Sequence, residues 1–138
     1  MSLPTPGPNS LKTDSTKELT SAIAKACMER QGEDIRILDM EGLVTYADYL
    51  VIVDGKSTPH VQALLDSIEK AVQGRWRPTY VNRSPDQSWM ILDFVDVVVH
   101  IFLKEVRAQY QLEELWSDAK DGWASIGLEG INPSEGNG

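Results

Sequence analysis

Cysteine and histidine are scarce: one Cys and two His occur among 138 residues. Cys27 cannot close an internal disulfide, and its place in an apolar helical pattern suits a reducing compartment and a small packing role. His60 and His100 lie far apart in the chain, with no adjacent cysteine and no His-x-x-x-His pair, so a zinc site is not expected. Long apolar runs are missing too. None approaches the roughly eighteen residues needed to cross a bilayer, and the first residues lack a basic stretch followed by an apolar one. The expectation is a cytoplasmic chain with no membrane partner. Basic side chains are outnumbered by acidic ones, 13 to 21, for a formal charge of −8. Wrapping a phosphate backbone relies on Lys and Arg releasing counterions, so direct sequence-specific nucleic-acid binding is not expected. A basic protein is the better electrostatic match.

A hydrophobic content of 41% in a chain of this length supports one well-buried core. Pro, Gly and Ser dominate "MSLPTPGPNS" at the start, and "LEGINPSEGNG" closes the chain in the same style. Residues 1–14 are therefore expected to be a disordered segment and 119–138 a flexible tail, leaving a folded domain over 15–118. Ser15 and Glu18 have capping-box spacing at the start of a helix that runs to Arg30 before Gly32. "DIRILDM" alternates as a strand with Ile35 and Ile37 on one face, and "DYLVIVD" is apolar on both faces, as a central strand is. Thr58 and Pro59 open a second helix, whose stripe of Val61, Leu64, Leu65, Ile68 and Val72 runs until Gly74. Three β-rich segments follow, "RPTYV", "SWMILDF" and "DVVVHIF", the last two as a hairpin, and "KEVRAQYQLEELW" reads as a final helix. The fold class is α/β, a mixed sheet flanked by helices.

Chemistry-bearing residues are few. "GKS" at Gly55 to Ser57 lies between a strand and a helix, but a phosphate-binding loop needs a Gly five positions before Gly55, where Leu50 stands. A turn with a helix cap is the better reading. Asp93 and Asp96 could hold a divalent ion or share acid/base work. In a hairpin such carboxylates more often cap the turn. His100 shares its strand face with Val98 and Phe102, and no nucleophile is identifiable beside it, which favours a hydrogen-bonded, half-buried histidine over a catalytic base. Trp89, Tyr110 and Trp116 are either core rings or interface anchors.

Three ordered stretches, "ADYLVIVDGKSTPHVQALLDSIE", "SWMILDFVDVVVHIF" and "VRAQYQLEELW", resemble the signature segments of the Iojap-related ribosomal silencing factor family. The resemblance spans the whole expected domain. It implies a small α/β domain, often a homodimer, similar in fold to nucleotidyltransferases but without their active site, and with no catalytic residue, cofactor or metal. It further implies a partner on the large ribosomal subunit, the interface protein numbered fourteen, whose occupation blocks joining of the small subunit and lowers translation when nutrients are scarce. Trp89, Leu92, Asp93, Asp96 and His100 match the motif used for partner contact. Arg107, Tyr110, Leu112, Leu115 and Trp116 match a second contact block, while Asp48 and Tyr49 match a strand motif with a structural role. The alternatives are a nucleotidyltransferase-like enzyme using Asp93 and Asp96, and a ribosome-assembly factor without silencing. This chain departs from the family pattern at Val95, where Gly is common, and at "NRSPDQ", where a Glu-Gly pair often stands. A β-branched residue at positive φ costs about 1–2 kcal/mol, so Val95 is expected in ordinary β geometry.

Overall fold

The computed structural model describes residues 14–40, 47–110, 120–123 and 125–128. Leu112, Leu115 and Trp116 lie outside the described residues, as does the side chain of Tyr110, whose backbone ends a helix.

Helix α1 (Asp14–Glu29) buries Leu19, Ile23, Ala26 and Cys27 at the expected spacing. Asp14 is already helical, so Ser15 lies in the first turn and is not the flanking cap residue. Glu18 instead pairs with Arg75 at 2.9 Å. At the far end the amides of Gln31 and Gly32 donate to Met28 O and Cys27 O at 3.0 and 2.8 Å, the Schellman pairing. The left-handed residue is Gln31 (φ 58°), not the glycine. Gly32 answers a different need, since a Cβ there would stand 2.5 Å from a Val53 methyl.

Strands β1 (Glu33–Asp39) and β2 (Tyr49–Gly55) follow, then helix α2 (Thr58–Val72), strands β3 (Tyr80–Arg83), β4 (Trp89–Asp93) and β5 (Val97–Leu103), helix α3 (Lys104–Tyr110) and a two-residue strand β6 (Lys120–Asp121). The expected stripe on α2 is the one buried, from Val61 to Val72. Its cap is Ser57, one residue before the expected Thr58, and the Ser57 hydroxyl accepts from the His60 amide at 3.2 Å.

The sheet runs β3-β4-β5-β2-β1-β6. Among the described residues only β2 and β5 pair in parallel, side by side within the sheet, and every other pairing is antiparallel. This is the mixed sheet flanked by helices that the residue pattern predicts. One face carries Ile35, Ile37, Val51, Val53, Leu92 and Val99 against α1 and α2. The opposite face carries Leu50, Ile52, Val98 and Phe102, with Val106 of α3 packed on it. Period-two alternation therefore splits β5 as expected: Val97, Val99 and Ile101 go to the helical layer, and Val98, His100 and Phe102 to the other side.

Two expectations need correction. Residues beyond 119 are not all a tail: β6 pairs with β1 through Leu38↔Asp121 and Asp39↔Lys120, and the Gly122 amide donates to Ile37 O at 2.7 Å. Trp123 is 2% exposed and joins Ile126 and Leu128 in the helical-layer core, while the Tyr49 and Ser125 hydroxyls bond to each other. Burial of an indole and two aliphatic chains outweighs what the Gly- and Pro-rich composition suggests. The second correction is Val95, which has φ 78°. The Asp96 amide donates to Phe94 O at 3.0 Å across it, closing a tight γ-type turn, and its own N–H donates to Asp93 Oδ1 at 2.8 Å. Phe94 N–H to Val97 O at 2.8 Å sets how short the hairpin connection must be, and Val95 takes the left-handed conformation that length demands.

Candidate partner-binding surface

Strand alternation sorts the candidate contact residues. Trp89, Ile91 and Asp93 share one face of β4, whereas Leu92 points the other way and is fully buried under the helices. Leu92 thus anchors the strand in the core and is not a contact residue. Ile91, opposite His100 and half-buried, takes its place on the face. The period-two pattern from Trp89 contains that signal. Tyr80, the cross-strand partner of Asp93, escapes sequence reasoning for a different reason: β3 is a short edge strand with little alternation to read.

Arg107 is likewise not at the surface. Its side chain is 4% exposed; Nη1 donates to Asp54 Oδ1 at 2.8 Å and Asp34 O at 2.6 Å, and Nη2 lies 3.3 Å from Asp34 Oδ2. The guanidinium therefore ties α3 to β1 and β2 and does not reach a partner.

On this second face, the Trp89 indole N–H donates to His100 Nδ1 at 3.0 Å. Trp89 stacks on Phe102 with centroids 5.0 Å apart, and His100 lies parallel to Phe102 at 6.0 Å. Accepting from the indole requires a bare Nδ1, so the neutral ring carries its proton on Nε2. Burial pushes the His100 pKa from the ordinary 6.5 down to about 4. Between those values the unfolded chain binds the proton and the folded one does not. Stability is then complete above about pH 6.5 and falls as the pH drops toward 4, by about 3 kcal/mol over the window. Urea denaturation at pH 7, 5.5 and 4.5 checks this: in His100→Phe the part of the slope owed to this ring should vanish, and an unchanged slope would assign it to the carboxylates instead.

The acids belong to the hairpin. Asp93 caps the turn as described, and Asp96 accepts from the Thr16 hydroxyl at 3.5 Å while its carbonyl receives the amides of Asp48 and Tyr49 at 2.7 and 3.1 Å. Among the described residues no group of three or more His, Cys, Asp or Glu is arranged to hold a metal ion. "GKS" is a strand end followed by a helix cap: Lys56 pairs with Glu33 at 3.4 Å, and Glu33 also takes Lys104 at 3.0 Å. His60 accepts the Lys56 amide on Nδ1 at 2.9 Å and meets Arg30 O through Nε2 at 2.7 Å, clipping the end of α1 to the start of α2. No helix among the described residues is long and apolar enough to cross a membrane.

Fold and surface together define a layered α/β domain in which Trp89 and His100 lie half-buried against a fully buried Phe102, on the sheet face away from α1 and α2. Comparison with known proteins narrows this class. A family model described as "Ribosomal silencing factor during starvation" matches residues 13–137. The chain is 38% identical over 104 residues to the ribosomal silencing factor RsfS of Bacillus subtilis, covering 75% of this chain and 88% of that one. It is 34% identical over 118 residues to the RsfS of Halalkalibacterium halodurans, covering 85% and 97%. A crystal structure of a Chromobacterium violaceum protein superposes with a TM-score of 0.70 at 27% identity, covering 73% of this chain and 85% of that chain. A Bacillus halodurans structure gives 0.65 at 32% identity, covering 72% and 94%. The chain belongs to the RsfS family of ribosomal silencing factors.

Proposed function

We propose that this chain acts in the cytoplasm as a translation repressor that binds the large ribosomal subunit at its interface protein numbered fourteen and blocks joining of the small subunit when nutrients are scarce. The observation that carries this reading is the Trp89–His100 pair, half-buried, joined by a hydrogen bond and stacked on the buried Phe102 ring, on the same sheet face as Asp93. Aromatic groups give large contact area at low entropic cost, and the acids orient the approach of a basic protein. Trp89 and Asp93 of β4, Asp96 of the hairpin connection and His100 of β5 form the contact, and the second block of Tyr110, Leu112, Leu115 and Trp116 belongs to the same reading. The role needs no turnover, and none is assigned.

Co-sedimentation tests the reading. The protein should travel with isolated large subunits and not with small ones, and should suppress their association into whole ribosomes. Trp89→Ala should weaken large-subunit binding by about 2 kcal/mol, roughly thirtyfold; wild-type affinity in a folded variant would take Trp89 out of the contact. Among the described residues β3 is an edge strand of the sheet, a natural pairing surface for a second copy, and the reading includes a homodimer, checked by sedimentation mass at tens of micromolar. A second reading, large-subunit assembly without silencing, is favoured by one relative: the mouse protein named "Mitochondrial assembly of ribosomal large subunit protein 1" is 32% identical over 93 residues, with 64% of this chain and 41% of that protein covered. Binding to assembly precursors with no effect on subunit joining would select it.

A further inference from the structure

Two large apolar side chains stand in solvent among the described residues, Tyr80 at 56% exposure and Val95 at 55%. Both flank Asp93. Tyr80 is its cross-strand neighbour on β3, and the Val95 amide is held by the Asp93 carboxylate at 2.8 Å. Val95 carries backbone strain, because a β-branched side chain at φ 78° crowds its own backbone. Val95 is exposed and absent from both core clusters, so the isopropyl group does not return the strain as core packing. Strained residues persist where the surrounding structure over-determines them and collect at contact sites. The short hairpin provides the first condition, and its apolar tip has the character of the second.

We propose that Val95 and Tyr80 form, on either side of Asp93, an apolar anchor of the partner contact, and that the partner offers an apolar depression rimmed by basic side chains. This inference rests on the ribosome-binding reading and extends it to the hairpin tip. The sheet register makes the surface continuous, since Tyr80 and Asp93 lie on the same face as Ile91 and Trp89. Asp93 supplies the charge between the two apolar groups, and the exposed Asp96, next to Val95 in the chain, adds a second acid at the hairpin tip. An apolar centre inside a charged border is the arrangement in which a few residues carry most of an interface's affinity.

The test measures large-subunit affinity and melting temperature together. Val95→Gly should melt a few degrees higher as the strain is released and yet bind roughly tenfold more weakly. Val95→Ala keeps a side chain at positive φ, so it should gain little in melting temperature while also binding more weakly. Tyr80→Ala should leave melting unchanged and lower affinity by roughly tenfold. If wild type binds but all three variants bind as tightly, the anchor is wrong and the ribosome-binding reading stands. Weakening confined to Tyr80→Ala removes Val95 from the anchor, and weakening confined to the Val95 variants removes Tyr80. A Val95→Gly that melts no higher than wild type overturns the strain on which the inference depends. If wild type itself does not sediment with large subunits, the reading fails and takes the anchor with it.

Discussion

Arg107→Ala should cost about 3–5 kcal/mol of folding stability, because it removes the cation from a carboxylate that stays buried. Asp54 lies on the all-buried strand β2, and the 2.8 Å contact to Arg107 Nη1 is the bond that joins it to α3. Truncation also opens the space the guanidinium filled and releases Asp34 O from its 2.6 Å donor. Lysine should not rescue the fold. A single ammonium cannot reproduce the fork in which Nη1 holds the Asp54 carboxylate and Nη2 the Asp34 carboxylate. Replacing both members, as in Asp54→Leu with Arg107→Met, should recover much of the loss, since an apolar pair of similar size avoids leaving one charge alone. Urea midpoints of these variants check the argument, and an Arg107→Ala midpoint equal to wild type would refute it. Any loss of ribosome binding in Arg107→Ala should follow the fraction unfolded, because the side chain lies beneath α3 and not at a contact.

Long-range pairs of this kind mark where residue pattern stops informing. The stripe on α2 and the doubly covered β2 are local periodicities, and both can be read from the chain alone. The division of β5 between two faces is equally local. Leu92 is legible in the same way: the alternation starting at Trp89 sends it to the core, and only its match to a contact motif argues for the surface. The Arg107–Asp54 pair is different in kind: the two residues are 53 positions apart, and nothing in either neighbourhood indicates the other. Val95 hides for a third reason. Its φ is dictated by the number of residues between two strands whose register is set by all their cross-strand pairs, so a β-branched side chain gives the wrong local answer. At the candidate site, alternation places His100 on an apolar face but cannot show that its ring accepts a bond from Trp89, because that contact joins opposite strands of the hairpin.

Deleting residues 119–138 should abolish cooperative folding. A composition rich in Gly, Pro and Ser marks this stretch as dispensable, yet Trp123, Ile126 and Leu128 are 2%, 8% and 7% exposed within the layer between sheet and helices. Loss of a buried tryptophan alone costs about 3–5 kcal/mol, and each buried Leu or Ile about 2–5. Even with incomplete additivity, the sum rivals the roughly 5–15 kcal/mol that holds a domain together. The deletion also strips β6 from β1 and uncovers Ile37, which Gly122 approaches so closely that a Cβ would stand 2.7 Å from its methyl. Trp123→Ala isolates the largest part of this effect in a full-length chain and should lose about 3–5 kcal/mol. Gly122→Ala tests the close approach independently, by forcing β6 away from β1 while leaving every apolar side chain in place. Circular dichroism melts distinguish the outcomes: a broad, non-cooperative transition for the deletion together with a lowered midpoint for Trp123→Ala places the segment inside the domain. A deletion variant that melts sharply within a few degrees of the full chain would return the boundary to residue 118.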